Sequence, residues 1–178
     1  MIKRVTRRGA VWLGLLPLAA ATAFVLAATS NAAPKEHSHP LHGHMRNIVQ
    51  HIPCADSPAV PVGVCSTFEA DGSFHGDGYV IIDTFPDQTP GNFGFSKAHT
   101  VIHTKKGDLR CHEAALFDTT ENPDHPFVDL CLIQGDSTGD YAGAKGYIQE
   151  VGTFPGPLGA PGTVGSLEYY GQITLQHD

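Results

Sequence analysis

The chain has 178 residues, with 11 Lys+Arg against 18 Asp+Glu. Four basic residues, Lys3, Arg4, Arg7 and Arg8, cluster at the N-terminus, which leaves 7 Lys+Arg against 18 Asp+Glu beyond them, a formal charge of −11. So acidic a chain repels nucleic acid and anionic membrane surfaces, and no basic-aromatic patch argues otherwise.

Residues 1–32 read as an export signal. The basic cluster is followed by an apolar, Ala-rich stretch from Ala10 to Ala28, and Ser30-Asn31-Ala32 offers a small-x-small cleavage site. Arg7-Arg8 also permits a twin-arginine signal, although the bulky apolar pair that usually follows is missing. A membrane anchor is the alternative, and both Pro17 and the cleavage site count against a stable span. Cleavage leaves a secreted chain of about 145 residues with no membrane segment, enough for one domain with a real core.

Residues 33–60 lack apolar periodicity and carry Pro34, Pro40, Pro53 and Pro58, so a flexible, disordered arm is expected. The arm holds His37, His39, His42 and His44. Imidazoles this close suit Zn, Cu(II) or Ni(II). Against a physiological site stand the ordering entropy of a flexible arm and the lack of supporting groups, so such binding reads as adventitious. No other cofactor is implied.

From 61 to 178 the chain reads as a single β domain. Strands are expected at Cys65–Ala70, Gly78–Phe85, Ser96–Thr104, Leu109–Phe117, Phe127–Gln134, around Tyr147–Gln149, and at Ser166–Gln176. Turns fall at Lys106-Gly107-Asp108 and Asn122-Pro123-Asp124, and longer loops at 86–94 and 154–162. The last strand alternates: Leu167, Tyr169, Ile173 and Leu175 share one face with Gly171. No stretch of the domain shows helical periodicity. The pattern indicates an antiparallel barrel or sandwich.

The four cysteines are Cys54, Cys65, Cys111 and Cys131. An even count in an exported chain indicates two disulfides, with three connectivities available. Cys54–Cys65 with Cys111–Cys131 is preferred, the second pair joining strands on either side of a turn-rich segment. Free buried thiols are the alternative.

Leu130 to Ile133 reads as a strand. It is followed by Gly135, Gly139, Gly143 and Gly146 around Tyr141, and then by alternation at Tyr147-Ile148-Gln149. This order resembles the pattern shared by plant allene oxide cyclases and dirigent proteins: a strand, a glycine turn, an aromatic, Gly/Ala-x-Gly and a strand. Gly135-Asp136 stands where the family has two glycines. Ile81-Ile82-Asp83-Thr84-Phe85-Pro86 and the segment from Phe95 to His103 resemble the family's second and third strands. The likeness spans roughly Cys65 to Gln176. It implies a closed eight-stranded antiparallel barrel, with a homotrimer among its assemblies and an apolar pocket holding few polar groups. The strands counted above fall one short of eight, so another is sought in 140–150 or in the arm. Tyr141 would plug one end.

The resemblance also directs the choice of site residues. Asp83 falls where the cyclases carry an amide and the dirigent proteins an acid, and at the rim of an apolar cavity it would serve as general acid or base. Glu69 and Asp71 share one face of the first family strand. Facing inward they would anchor a substrate oxygen; facing outward they are solvated acids. His99 falls where the cyclases carry a pocket thiol, but its own face also holds Lys97, Val101 and His103. The opposite set, Ala98, Thr100, Ile102 and Thr104, is the better inward face. His112 and Glu113 lie on opposite faces of the next strand, which leaves open which points in. Tyr79, Ile81, Ile102 and Tyr169 are the candidate ligand contacts.

Three functions fit these readings. One is a cofactor-independent cyclase or isomerase acting on an apolar small molecule. Another is a carrier barrel that binds such a molecule unchanged. The third is a secreted metal-binding protein working through its histidines. No hydrolase nucleophile motif, phosphate loop or dinucleotide fingerprint is present.

Overall fold

The computed structural model of the protein describes residues 37–55, 60–88, 93–120, 122–155 and 163–176. The export signal expected at residues 1–32 lies outside them. Eight strands follow one another around a closed antiparallel barrel: β1 (Ser38–Ala55), β2 (Val64–Gly72), β3 (Gly76–Gln88), β4 (Phe93–Thr104), β5 (Gly107–Asp118), β6 (Pro126–Ile133), β7 (Lys145–Thr153) and β8 (Val164–Thr174). Closure comes from β1 pairing with β8, from Ser38↔Thr174 to Val49↔Val164. A closed barrel leaves no sheet edge unpaired.

The missing eighth strand is β1, which occupies most of the expected arm. Its pattern was hidden by a bulge. Asn47 takes a left-handed φ of 51°, and the pairing slips against both neighbours just there. Leu41 and Met45 point inward before the bulge, and Ile48 and Gln50 after it, so the inward set jumps from odd to even positions. A strict search for period two therefore finds nothing.

Both preferred disulfides are present: Cys54–Cys65 ties β1 to β2, and Cys111–Cys131 ties β5 to β6 inside the barrel. This pairing is compatible with an extracellular protein.

One half of the interior is filled. Phe74, in the β2–β3 turn, stacks on Tyr169 with centroids 5.5 Å apart and meets the edge of Tyr141 at 6.2 Å. The Tyr169 hydroxyl donates to the Asp71 carbonyl at 2.7 Å and accepts from the Phe74 amide at 3.0 Å. Burial pushes its phenol up to about 12. Ile102, Leu109, Ile148 and Ile173 complete the plug.

The glycine segment brings Tyr141 there. After β6 the chain folds over the β4–β5 hairpin, where the Thr138 amide donates to Asp108 and the Asp140 amide to Lys106, each at 2.8 Å. A short 3-10 turn, Gly139–Tyr141, then delivers the ring. Gly107 and Gly139 both have positive φ, and a Cβ on either would strike the other segment's backbone. Glycine is required by that contact.

Candidate functional site: an acid-floored cavity

The other half of the interior is hollow. Its cavity holds about 640 Å³ of space, open mouth included. Met45, Ile48, Phe68, Val80, Ile82 and Leu167 supply apolar wall, and the aromatic group Phe117, Phe127 and Phe154 supplies more. Phe127 stacks on Phe117 at 5.5 Å and on Phe154 at 4.8 Å. This lining suits a small organic molecule.

The floor is different in kind. Glu113 of β5, Asp129 of β6 and Glu150 of β7 all point inward, with only 8, 7 and 4% of their surface exposed. Register places them together. Asp129 is directly opposite Glu150, and Glu113 is opposite Cys131, two residues along β6 from Asp129. The Cys111–Cys131 disulfide lies just below. Thr100 and Ser96 of β4 adjoin the acids on one side, and Gln50 and Ser66 of the paired β1 and β2 also line the cavity. Among the described residues, no Lys, Arg or His lines it.

Buried like charges without a counter-cation favour the protonated form. Glu113 is raised well above the ordinary range by burial, then by the charges of Asp129 and Glu150 and by its bond to Asp129; Thr100 only partly offsets this. Burial and the Asp129 charge likewise raise Glu150. Burial also lifts Asp129, to about 6, while hydrogen bonds from Glu113 and from the Leu130 and Ala114 backbone restrain the rise. Glu113 thus holds a proton that it shares with Asp129, and the three titrate as a unit. Two floor oxygens, Asp129 Oδ1 and Glu150 Oε1, are buried without a hydrogen-bond partner. Such atoms are costly to leave unpaired.

The residues singled out from the sequence fall elsewhere. Asp83 and His99 do meet, at 2.8 Å, but on the outer face, where the His99 ring also packs edge-on against His112 at 4.2 Å. Ile82 is the residue of that corner that lines the cavity, and Asp83 follows it onto the opposite side. Glu69 is outside too, bonded to Asn47 at 3.2 Å. Asp71 is bonded to His44 and Arg46, each at 3.2 Å. Partial burial works against ionisation of Asp71, and these two partners overcome it and lower its pKa. For Glu69 and Asp71 the outward alternative therefore holds, and on β4 the smaller set is inward as expected.

Among the expected ligand contacts, Tyr79 packs outside against His103, and Ile81 shares its face, whereas Val80 and Ile82 line the cavity. Ile102 and Tyr169 are interior but belong to the filled half. The exposed histidines do not converge. His39 has the parity of inward Leu41, while His42 and His44 lie on the outer side of β1, and His37 precedes the strand. Among the described residues, the single group of three that could surround an ion is Glu113, Glu150 and Cys131, and the Cys131 sulfur is committed to its disulfide.

Asp129 and Glu150 were missed, and Glu113 was left undecided, although one signal could have found two of them. If Cys111 and Cys131 are bonded inside the barrel, parity carries Glu113 and Asp129 inward with them. No family model, curated protein or solved structure matches the chain.

Proposed function

We propose that this is an exported barrel that takes an apolar small molecule into its cavity and rearranges it by proton transfer, as an isomerase or cyclase. The observation that carries the reading is the cluster of Glu113, Asp129 and Glu150 on the floor of a cavity whose wall is mainly apolar. The two disulfides fit an oxidising compartment. The resemblance of the glycine segment to allene oxide cyclases and dirigent proteins points to the same class of work.

The chemistry needs only a proton donor and an acceptor. Glu113, holding a proton, delivers it to the heteroatom at the buried end of the substrate. Asp129, with a pKa of about 6, removes a proton from an adjacent carbon, and the cluster ends with the protons it began with. The aromatic wall holds the apolar body in one shape during the shift, and low dielectric strengthens each charge the floor presents.

Native mass spectrometry of protein from its own host tests this first, because it reports a retained ligand directly. A molecule recovered rearranged after incubation supports the reading, and its turnover at saturating concentration should fall at least a hundredfold in Asp129→Asn. A ligand recovered unaltered would make the barrel a carrier. Unchanged turnover in Asp129→Asn and Glu113→Gln would remove the acid floor from the chemistry.

A further inference from the structure

The cavity combines two features that together narrow its ligand. Its floor presents three carboxyl groups and, among the described residues, no basic side chain. Its unpartnered buried polar atoms include Asp129 Oδ1 and Glu150 Oε1, both on residues more than nine-tenths buried and both at the cavity. Once a ligand has taken a proton from this floor, the carboxylate left behind only accepts hydrogen bonds, so these atoms then call for a donor.

The ligand chemistries differ in how well they answer. A ketone, ether or epoxide oxygen can accept from a protonated acid of the floor, but it donates nothing to the oxygens that carry no proton. An alcohol has one hydrogen to give. A carboxylate adds a further negative charge to a site that already keeps its own acids protonated. A protonated nitrogen offers up to three N–H donors and the missing positive charge. A hydrated divalent ion would also satisfy the acids, but it makes no use of the wall above them, where Phe68, Phe117, Phe127, Phe154, Ile82 and Leu167 offer apolar and aromatic surface. Aromatic faces instead favour an organic cation with an apolar body.

We infer that the cavity selects an apolar molecule ending in a basic nitrogen, held as an ammonium on Asp129 and Glu150 with its hydrocarbon part against the phenylalanine wall. The inference rests on the reading of this cavity as a ligand site and adds the class of ligand to it. The nitrogen enters the cavity neutral. It then takes a proton from the floor, so that one N–H bond forms as one O–H bond breaks, and an ion pair remains inside without net charge having crossed the wall.

The test uses the oxidised, mature chain and three probes of matched length: octylamine, octanol and octanoate, each competed against a neutral solvatochromic dye. Octylamine should bind at least tenfold more tightly than octanol, and octanoate most weakly. The preference should shrink to the alcohol level in the Asp129→Asn, Glu150→Gln double variant, whose circular dichroism and melting midpoint verify folding. Octanol binding as well as octylamine would overturn the inference and leave the cavity as a ligand site. Failure of the dye and of all three probes to bind would overturn the cavity reading itself, and this inference with it. Stoichiometric calcium or zinc that displaces octylamine would also overturn it, in favour of a metal centre. So would an amine preference that survives in the double variant, because it would then belong to the acidic outer surface.

Discussion

The two halves of this barrel interior are built from the same strands and behave in opposite ways. In the filled half, Phe74, Tyr141 and Tyr169 interlock, and the Tyr169 hydroxyl is bonded on both sides. In the hollow half, three acids face a space and two of their oxygens have no partner. The filled half satisfies what it buries and contributes stability. The hollow half buries what it does not satisfy, and such groups lower stability until something binds them. The Cys111–Cys131 disulfide lies at the boundary, where it fixes β5 against β6 directly beneath the acids.

Truncation should separate the halves most sharply. Phe74→Ala removes a side chain 2% exposed and stacked on Tyr169, so it should cost about 3–5 kcal/mol in urea denaturation. Ile82→Ala borders the cavity, where atoms already have space on one side, and should cost about 1 kcal/mol. Equal losses at the two sites would mean that the halves are packed alike.

The acids make the second contrast, and its sign is unusual for carboxylates. In the unfolded chain Asp129, Glu113 and Glu150 ionise near their ordinary values of 3.8 and 4.5, whereas folding raises all three. Between the unfolded and folded pKa values the native state binds more protons, so stability falls as pH rises. The favourable contribution is complete below about pH 4 and is lost as pH climbs through the folded values, which for Asp129 is about 6. Asp71 and Asp118 are lowered and work in the opposite sense, but they are exposed and screened. Urea melts at pH 5 and pH 8 should differ by on the order of 2–3 kcal/mol in favour of pH 5. Glu150→Gln should flatten that difference and stabilise the protein at pH 8. A protein more stable at pH 8 than at pH 5 would contradict the proton count on the floor.

These acids also show where the sequence was legible. In the filled half the inner face is apolar and the outer face polar, as in β8, where Tyr169 and Ile173 alternate with Glu168, Tyr170 and Gln172. There the pattern and the fold agree. On β6 the contrast inverts: Val128, Leu130 and Leu132 are exposed, at 46, 44 and 50%, while Asp129 between them is buried. An observer who assigns apolar residues to the core puts Asp129 outside. The exposed strip continues on neighbouring strands through Phe95, Leu116 and Val151, so several of the strands that carry the site obscure it. β1 was illegible for another reason, since one left-handed Asn47 shifts its parity midway. Both failures are of phase. Strand periodicity was present, but its absolute face needed a fixed point, which the inward Cys111–Cys131 bridge supplies.

The glycine contact beneath the filled half allows a smaller test. Gly139 has φ 60°, and an added Cβ would meet the Lys106 carbonyl. Gly139→Ala should cost about 1–2 kcal/mol and loosen Tyr141, seen as faster amide exchange at Asp140 and Thr138. The cavity lies at the far half, so octylamine binding should hardly change. If it weakened tenfold, the plug and the hollow would be coupled and could not be treated as separate regions.

The smallest effect is expected outside the barrel altogether. Asp83 and His99 form an imidazole–carboxylate pair on the outer face, 2.8 Å apart, and each side chain is more than 40% exposed. Solvent screens such a pair, and holding both side chains costs entropy, so its net contribution is about 0–1 kcal/mol. Asp83→Ala should therefore shift the melting midpoint little and leave turnover and ligand affinity unchanged. The wall between the pair and the cavity is one strand thick: Ile82 is inside, and Asp83, one residue on, is outside. A large loss of activity in Asp83→Ala, with Ile82→Val unaffected, would locate the chemistry on the outer surface and leave the acid floor with a purely structural role.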